Sequence, residues 1–221
     1  MAGGWAADGA VQQQIEPARA FRADIRARAQ KYGRSPDAIK IMPGVMPFVG
    51  ASADEAQAKF QEMQDLIHPE LGVRIVGDMI GVDLHGYDLD GPLPEAPQVM
   101  PSGQGGRQQV VLEMAKRDNL SIRQVYQRIA GARAHRIIHG TAKRIADDLE
   151  EWFTTGAADG FNIMPPMFPQ GLKEFIAEVT PELQRRGLFR TAYDGKTLRE
   201  NLGLPFPVNR YAAARAKNAA E

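Results

Sequence analysis

Apolar residues recur at helical spacing along most of this chain. Ala20, Phe21, Ile25 and Ala29 form one stripe, in a helix opened by Glu16 and Pro17, running to about Lys31 and closed by Gly33. Ala56, Phe60, Met63 and Ile67 form a second, behind Ser52-Ala53-Asp54-Glu55, which has the form of a capping box; Pro69 stops that helix. The same spacing predicts helices over 70–80, 108–118 and 125–131, the last behind another capping box at Ser121–Gln124. Thr141 caps a helix reaching Thr155 that carries Ile145, Leu149, Trp152 and Phe153. A helix over 172–186 aligns Phe175, Ile176, Val179 and Leu183, and Pro181 inside it predicts a kink or a break. A last short helix is expected over 197–202, and the tail beyond Pro207, 208–221, is expected to fray.

Three stretches break this period and read as strands: 10–15, 39–50 and 159–164. The second is interrupted by Pro43 and Pro47, so it is expected to bend, or to end early and continue as an extended edge. The third, Asp159-Gly160-Phe161-Asn162-Ile163-Met164, runs into Pro165-Pro166, where a continued central strand would lack its N–H donors. Helix, strand, proline loop, helix is the rhythm of an α/β domain, whose chemistry gathers where strands end. Between 82 and 106 proline and glycine are dense and no period holds, which marks a long excursion of the kind that is either a functional lid or disordered. The segment His135–His139 is too short to classify.

Composition narrows the function. At 221 residues and 43% hydrophobic, the chain can bury an ordinary core, and one domain over 1–207 is expected, with an insertion at about 68–134. Lys+Arg and Asp+Glu both number 27, so no net field favours nucleic acid or an anionic membrane. There is no cysteine, which removes disulfides, thiolate metal sites and cysteine nucleophiles together. No apolar run approaches the ~18 residues of a membrane span, and a soluble, cytoplasmic protein is expected.

Several blocks are long and unusual in composition: IKIMPGVMPFVGASADEAQAKF, GYDLDGPLPE, IAGARAHRIIHGTAKRIADDLEEWFTTGAADGFNIMPP and PELQRRGLFRTAYDGKTLRENLGL. From roughly Ala10 to Leu204 the chain resembles the C-terminal half of flavin-dependent monooxygenases of the nitrilotriacetate monooxygenase component A type. These are members of the bacterial luciferase-like superfamily, which also holds the dibenzothiophene-sulfone and alkanesulfonate monooxygenases. The resemblance implies an α/β fold that is part of a (β/α)8 TIM barrel, its three strands being the sixth, seventh and eighth, with the insertion after the seventh covering the mouth of the active site. It also implies that FMN, reduced by a separate flavin reductase, reacts with molecular oxygen to oxygenate a small organic substrate. The family's first five strands, with most of its flavin contacts, have no counterpart in this sequence, so no cofactor-binding residue carries over. The chain would then be one portion of the enzyme, needing a complementing N-terminal half. The other reading is a catalytically silent half-barrel whose unpaired strand edges drive self-association or partner binding.

The remaining chemistry can be placed residue by residue. Asn162, Met164 and Met167 lie at or after the end of the eighth strand, where barrel enzymes put substrate-binding groups; core filling and a turn hydrogen bond are the alternative. Arg107, beside Gly103-Gln104-Gly105-Gly106 on the lid, could clamp an anionic substrate, or be a solvated loop arginine. His135 and His139 have the i, i+4 spacing of a metal pair if the segment is helical, but no third ligand is evident. Gly140-Thr141 is read as a helix cap rather than an anion site, the lid glycines are no dinucleotide fingerprint, and Asp147, Asp148, Glu150 and Glu151 form a solvated helix face.

Overall fold

The computed structural model describes residues 14–97, 105–132, 135–206, 209 and 211. Its centre is a parallel sheet of three strands, β1 (Gly44–Val49), β2 (Arg136–Gly140) and β3 (Asn162–Ile163), in the order β2-β1-β3. Every residue of β1 is buried, as its uninterrupted apolar run requires of a strand covered on both faces.

Pro47 sits inside β1 without ending it, contrary to the expected interruption. The reason is the direction of its backbone. The carbonyls of Pro43 and Val45 accept the N–H groups of Asn162 and Met164, at 3.1 and 2.8 Å, so odd positions of β1 turn toward β3. Gly50, an even position, turns toward β2 and donates to the Gly140 carbonyl at 3.1 Å. The N–H that Pro47 lacks would therefore face β3, and pairing on that side ends at Val45↔Ile163. No ladder bond is lost, which is the circumstance in which a strand tolerates proline.

The strands differ from the expected set in two ways. Of the strand expected over 10–15, residues 10–13 lie outside the described residues, and Ile15 opens a helix, α1 (Ile15–Lys31). The segment at 135–139 supplies β2, held by five consecutive pairings from Val45↔Arg136 to Val49↔Gly140. Strands 39–50 and 159–164 are neighbours, as seventh and eighth strands would be, while the opposite edge of β1, where a sixth would pair, carries β2.

Helices flank this sheet. In α2 (Ala53–Asp65) the Ser52 hydroxyl accepts the Glu55 N–H at 3.1 Å, while Glu55 reaches one residue further back than expected, to the Ala51 N–H at 3.0 Å. Between α2 and β2 come α3 (Pro69–Ile80), α4 (Gly105–Arg117) and α5 (Ile122–Ala130). They have a core of their own, in which Val76, Ile80, Val111, Ile122, Val125 and Ile129 are fully or almost fully buried. After β2 follow α6 (Ala142–Thr154), α7 (Gln170–Glu174), α8 (Thr180–Arg185) and α9 (Leu198–Asn201). The interruption at Pro181 takes the form of a π-helical turn, Phe175–Val179, joining α7 to α8: Thr180 donates its N–H to Phe175, five residues back. The widened turn carries the chain past a residue that has no N–H to give.

Asp159, immediately ahead of β3, ties three parts of the fold together. One carboxylate oxygen accepts the Ile41 N–H at 2.9 Å, and the other accepts Arg22 through Nε at 3.1 Å and Nη2 at 2.6 Å. Arg26 adds a contact at 3.3 Å. Helix α1 is thereby pinned to the entry of β1 and β3. Among the described residues, no helix is long and apolar enough to cross a membrane.

Candidate active site

The register divides the side chains of the sheet between two faces. Val45, Val49 and Ile138 pack with Ile145 and Leu149 of α6 and Phe175, Val179 and Leu183 of the helical segment after β3. Met46 and Phe48 lie on the other face with Ile137 and His139, and are covered by Phe60 and Met63 of α2 and by Ala132. The first face is closed by apolar contacts. The second opens into a cavity.

This cavity, of about 460 Å³, lies between the sheet and the inserted helices, and its size is in the range of small-molecule sites. His135, Ile137 and His139 form its floor together with Phe60. Val110 and Met114 of α4 and Ile129 of α5 form an apolar wall, and Glu113, Arg117 and Arg128 add charge. The start of α1 contributes Gln14 and Pro17. Phe60 meets Phe48 edge-on at 5.5 Å. Above β1, Lys59 donates to the Val49 carbonyl at 2.8 Å and pairs with Glu55 and Glu174, at 3.0 and 3.1 Å, locking α2 and α7 against the carboxyl end of the strand.

Electrostatics at the rim centre on Asp118. Arg117 holds its carboxylate with Nε at 2.8 Å and Nη2 at 3.0 Å, and Arg128 bonds the same carboxylate through Nη1. Hydrogen bonds from Arg117 and then Arg128 hold the Asp118 carboxyl down to about 2. Gln109 steadies Glu113 with a bond of 2.7 Å. A larger groove, of about 940 Å³, runs along α3 and the turn after it, lined among others by Glu70, Arg74, Asp83 and His85. No strand contributes to it.

The residues singled out from the sequence are only partly brought together. Asn162 donates to the Met42 carbonyl at 3.1 Å, bracing the entry of β1. Met164 packs with Met46 and Phe48 on the cavity face of the sheet. Met167 is 61% exposed, in the loop beyond β3. Arg107 lies in the first turn of α4 rather than in a lid loop, three positions before the cavity-lining Val110. His135 and His139 do share a face, but as alternate positions just ahead of and within a strand, not as turns of a helix. Among the described residues no group of three or more His, Cys, Asp or Glu is placed to hold a metal ion. The sequence reading missed Phe60, Arg117 and Arg128 as site residues. The period-two alternation of His135, Ile137 and His139 was the one available signal for the floor.

No family model matches the chain. It is 46% identical over 204 residues to nitrilotriacetate monooxygenase component A of Aminobacter aminovorans, covering 91% of this chain and 45% of that protein. This chain is a homologue of the nitrilotriacetate monooxygenase component A group. A second relative, N-acetyl-S-(2-succino)cysteine monooxygenase of Bacillus subtilis, is 46% identical over 203 residues, 91% of this chain and 46% of its own length. Among solved structures, DmoA of Hyphomicrobium sulfonivorans matches 86% of this chain and 40% of its own with a TM-score of 0.73 at 30% identity. A riboflavin lyase solved with modified FMN and riboflavin matches 90% of this chain and 43% of its own with a TM-score of 0.67, also at 30% identity. The chain spans a little under half the length of the relatives it matches.

Proposed function

We propose that this chain is the C-terminal portion of an FMN-dependent, two-component monooxygenase, and that it supplies the substrate-covering side of a (β/α)8 barrel. In this reading β1 and β3 are the seventh and eighth strands, and α3, α4 and α5 are an insertion, at about 68–134, that closes over the barrel mouth. The observation that carries it is the cavity between the sheet face bearing Met46, Phe48, Ile137 and His139 and the inserted helices. Sequence identity of 46% to two monooxygenases supports the reaction class.

The described residues fit the substrate side of such a site better than the flavin side. Phe60, His139 and the apolar wall can exclude water and hold an organic body, and Lys59 fixes the strand end beneath them. Reduced FMN, supplied by a separate reductase, would provide the electrons that activate molecular oxygen. In this reading the site of the flavin phosphate belongs to the complementing half, with the first five strands. Asn162, Met164, Met167 and Arg107 remain candidate substrate contacts, with Met164 supported by its place on the cavity face. A cytoplasmic location, where a reductase can deliver reduced flavin, belongs to the same proposal.

The test is an anaerobic titration with reduced FMN, followed by flavin fluorescence, of this chain alone and of this chain co-purified with a polypeptide carrying the family's first five strands. Saturable binding by the assembly, with oxygen consumption coupled to a substrate, is the expected result. A folded assembly that binds no reduced FMN overturns the proposal in favour of a catalytically silent, self-associating half-barrel.

A further inference from the structure

The donors on the cavity wall specify a ligand more narrowly than the reaction class does. Arg117 spends Nε and Nη2 on Asp118, whereas Arg128 spends only Nη1 there. The remaining Nε and Nη2 groups of Arg128 form no hydrogen bond to another described residue, on a side chain that lines the cavity and is 47% exposed. A planar fork with two adjacent N–H groups to offer is the geometry that carboxylates match.

Charge balance then limits how many anionic groups fit. Arg117 and Arg128 are offset by Asp118 and Glu113, so the four formal charges cancel and no net field draws in a polyanion. Glu113 faces the same space and repels a second carboxylate. Beyond these groups the lining turns apolar, with Val110, Met114, Ile129, Ile137 and Phe60.

We infer that this cavity binds a small organic monoanion, a single carboxylate on an apolar or aromatic body, with the carboxylate on Arg128 and the body against Phe60 and Ile137. Asp118 offsets the charge of the same guanidinium without occupying that fork. The inference rests on the substrate-side reading above, and names the substrate class for it.

The probe is phenylacetate, titrated into the full 221-residue chain without flavin and followed by the NMR signals of the His135 and His139 imidazoles. Phenylacetamide, of the same shape without the charge, and succinate, with two carboxylates and no apolar body, are the comparisons. Phenylacetate is expected to bind at least tenfold more tightly than either. Arg128→Gln, a change at a half-exposed position, is expected to reduce phenylacetate binding about tenfold while leaving phenylacetamide unchanged. Asp118→Asn is expected to tighten phenylacetate several-fold, with circular dichroism confirming that each variant is folded. Equal binding of phenylacetate and phenylacetamide, tighter binding of succinate, or an Arg128→Gln variant that binds like the parent overturns the inference. Loss of affinity in a folded Asp118→Asn variant overturns the charge offset assigned to Asp118. Because flavin is absent, a failure here is distinct from a failure of the reduced-FMN titration.

Discussion

The imidazole of His139 lies nearly parallel to the ring of Phe60, with centroids 5.4 Å apart and planes inclined by 13°. This stack joins β2 to α2 across the floor of the cavity, and Phe48, the register partner of His139 on β1, meets the Phe60 ring edge-on. Aromatic pairs of this kind contribute beyond the area they bury. A double-mutant cycle with Phe60→Leu and His139→Ala is therefore expected to give a coupling of about 0.5–1.5 kcal/mol in urea unfolding. Strictly additive effects would mean that the two rings only fill space.

At the other end of the same floor, Gly44 is held between two side chains. A Cβ at this position would stand 2.7 Å from Nδ1 of His135 and 2.8 Å from Sδ of Met164. Gly44→Ala must displace both, and overpacking of this kind costs about 1–3 kcal/mol. The variant is expected to unfold at a lower urea concentration and to shift the His135 imidazole signals while leaving those of His139 near their original positions. An unchanged midpoint would show that the floor can give way freely.

Much of this architecture was legible from local patterns. The caps at Ser52, Ser121 and Thr141 all form where the residues called for them, because a cap is a contact over three residues and needs no tertiary partner. What was not legible depends on distant pairing. The segment 136–140 is a strand because β1 lies beside it, and nothing in five residues discloses that. Pro47 sits in a central strand because β3 stops two residues short of it, which is a property of β3. The cavity was hidden for the same reason: Phe60, Arg128 and His139 are far apart in sequence and meet only when α2, α5 and β2 are packed.

Asp159 provides a prediction with a pH signature. Burial raises its carboxyl pKa, but the hydrogen bonds from Arg22 and the Ile41 N–H, with the charges of Arg22 and Arg26, outweigh burial and hold the pKa below its ordinary value. A carboxyl whose folded pKa is depressed contributes stability above its unfolded pKa, about 3.9, and loses it as pH falls through the folded value. Its side chain is only 9% exposed, so Asp159→Asn, which takes from Arg22 its one carboxylate partner among the described residues while Arg26 keeps Asp37 at 2.8 Å, is expected to cost about 3 kcal/mol at pH 7. The gap between parent and variant should stay level from pH 8 to 5 and narrow below pH 4. A gap independent of pH down to 2 would mean that the charge of Asp159 is not what binds α1 to the sheet.

Gln64, in the last turn of α2, is the converse case, a polar group whose removal should help. The residue is 4% exposed, and neither its amide nitrogen nor its amide oxygen meets a hydrogen-bonding partner among the described residues. A buried amide left unpaired costs about 1–3 kcal/mol in lost hydration, whereas an apolar side chain of similar shape has no such debt. Gln64→Leu and Gln64→Met are both expected to raise stability by about 1 kcal/mol, read as a higher urea midpoint at unchanged slope. Two replacements are needed because leucine branches where glutamine does not, and a poor fit of one would mask the gain. If both variants are less stable than the parent, the amide is hydrogen-bonded in solution, and the buried space beside α2 admits water or another part of the chain.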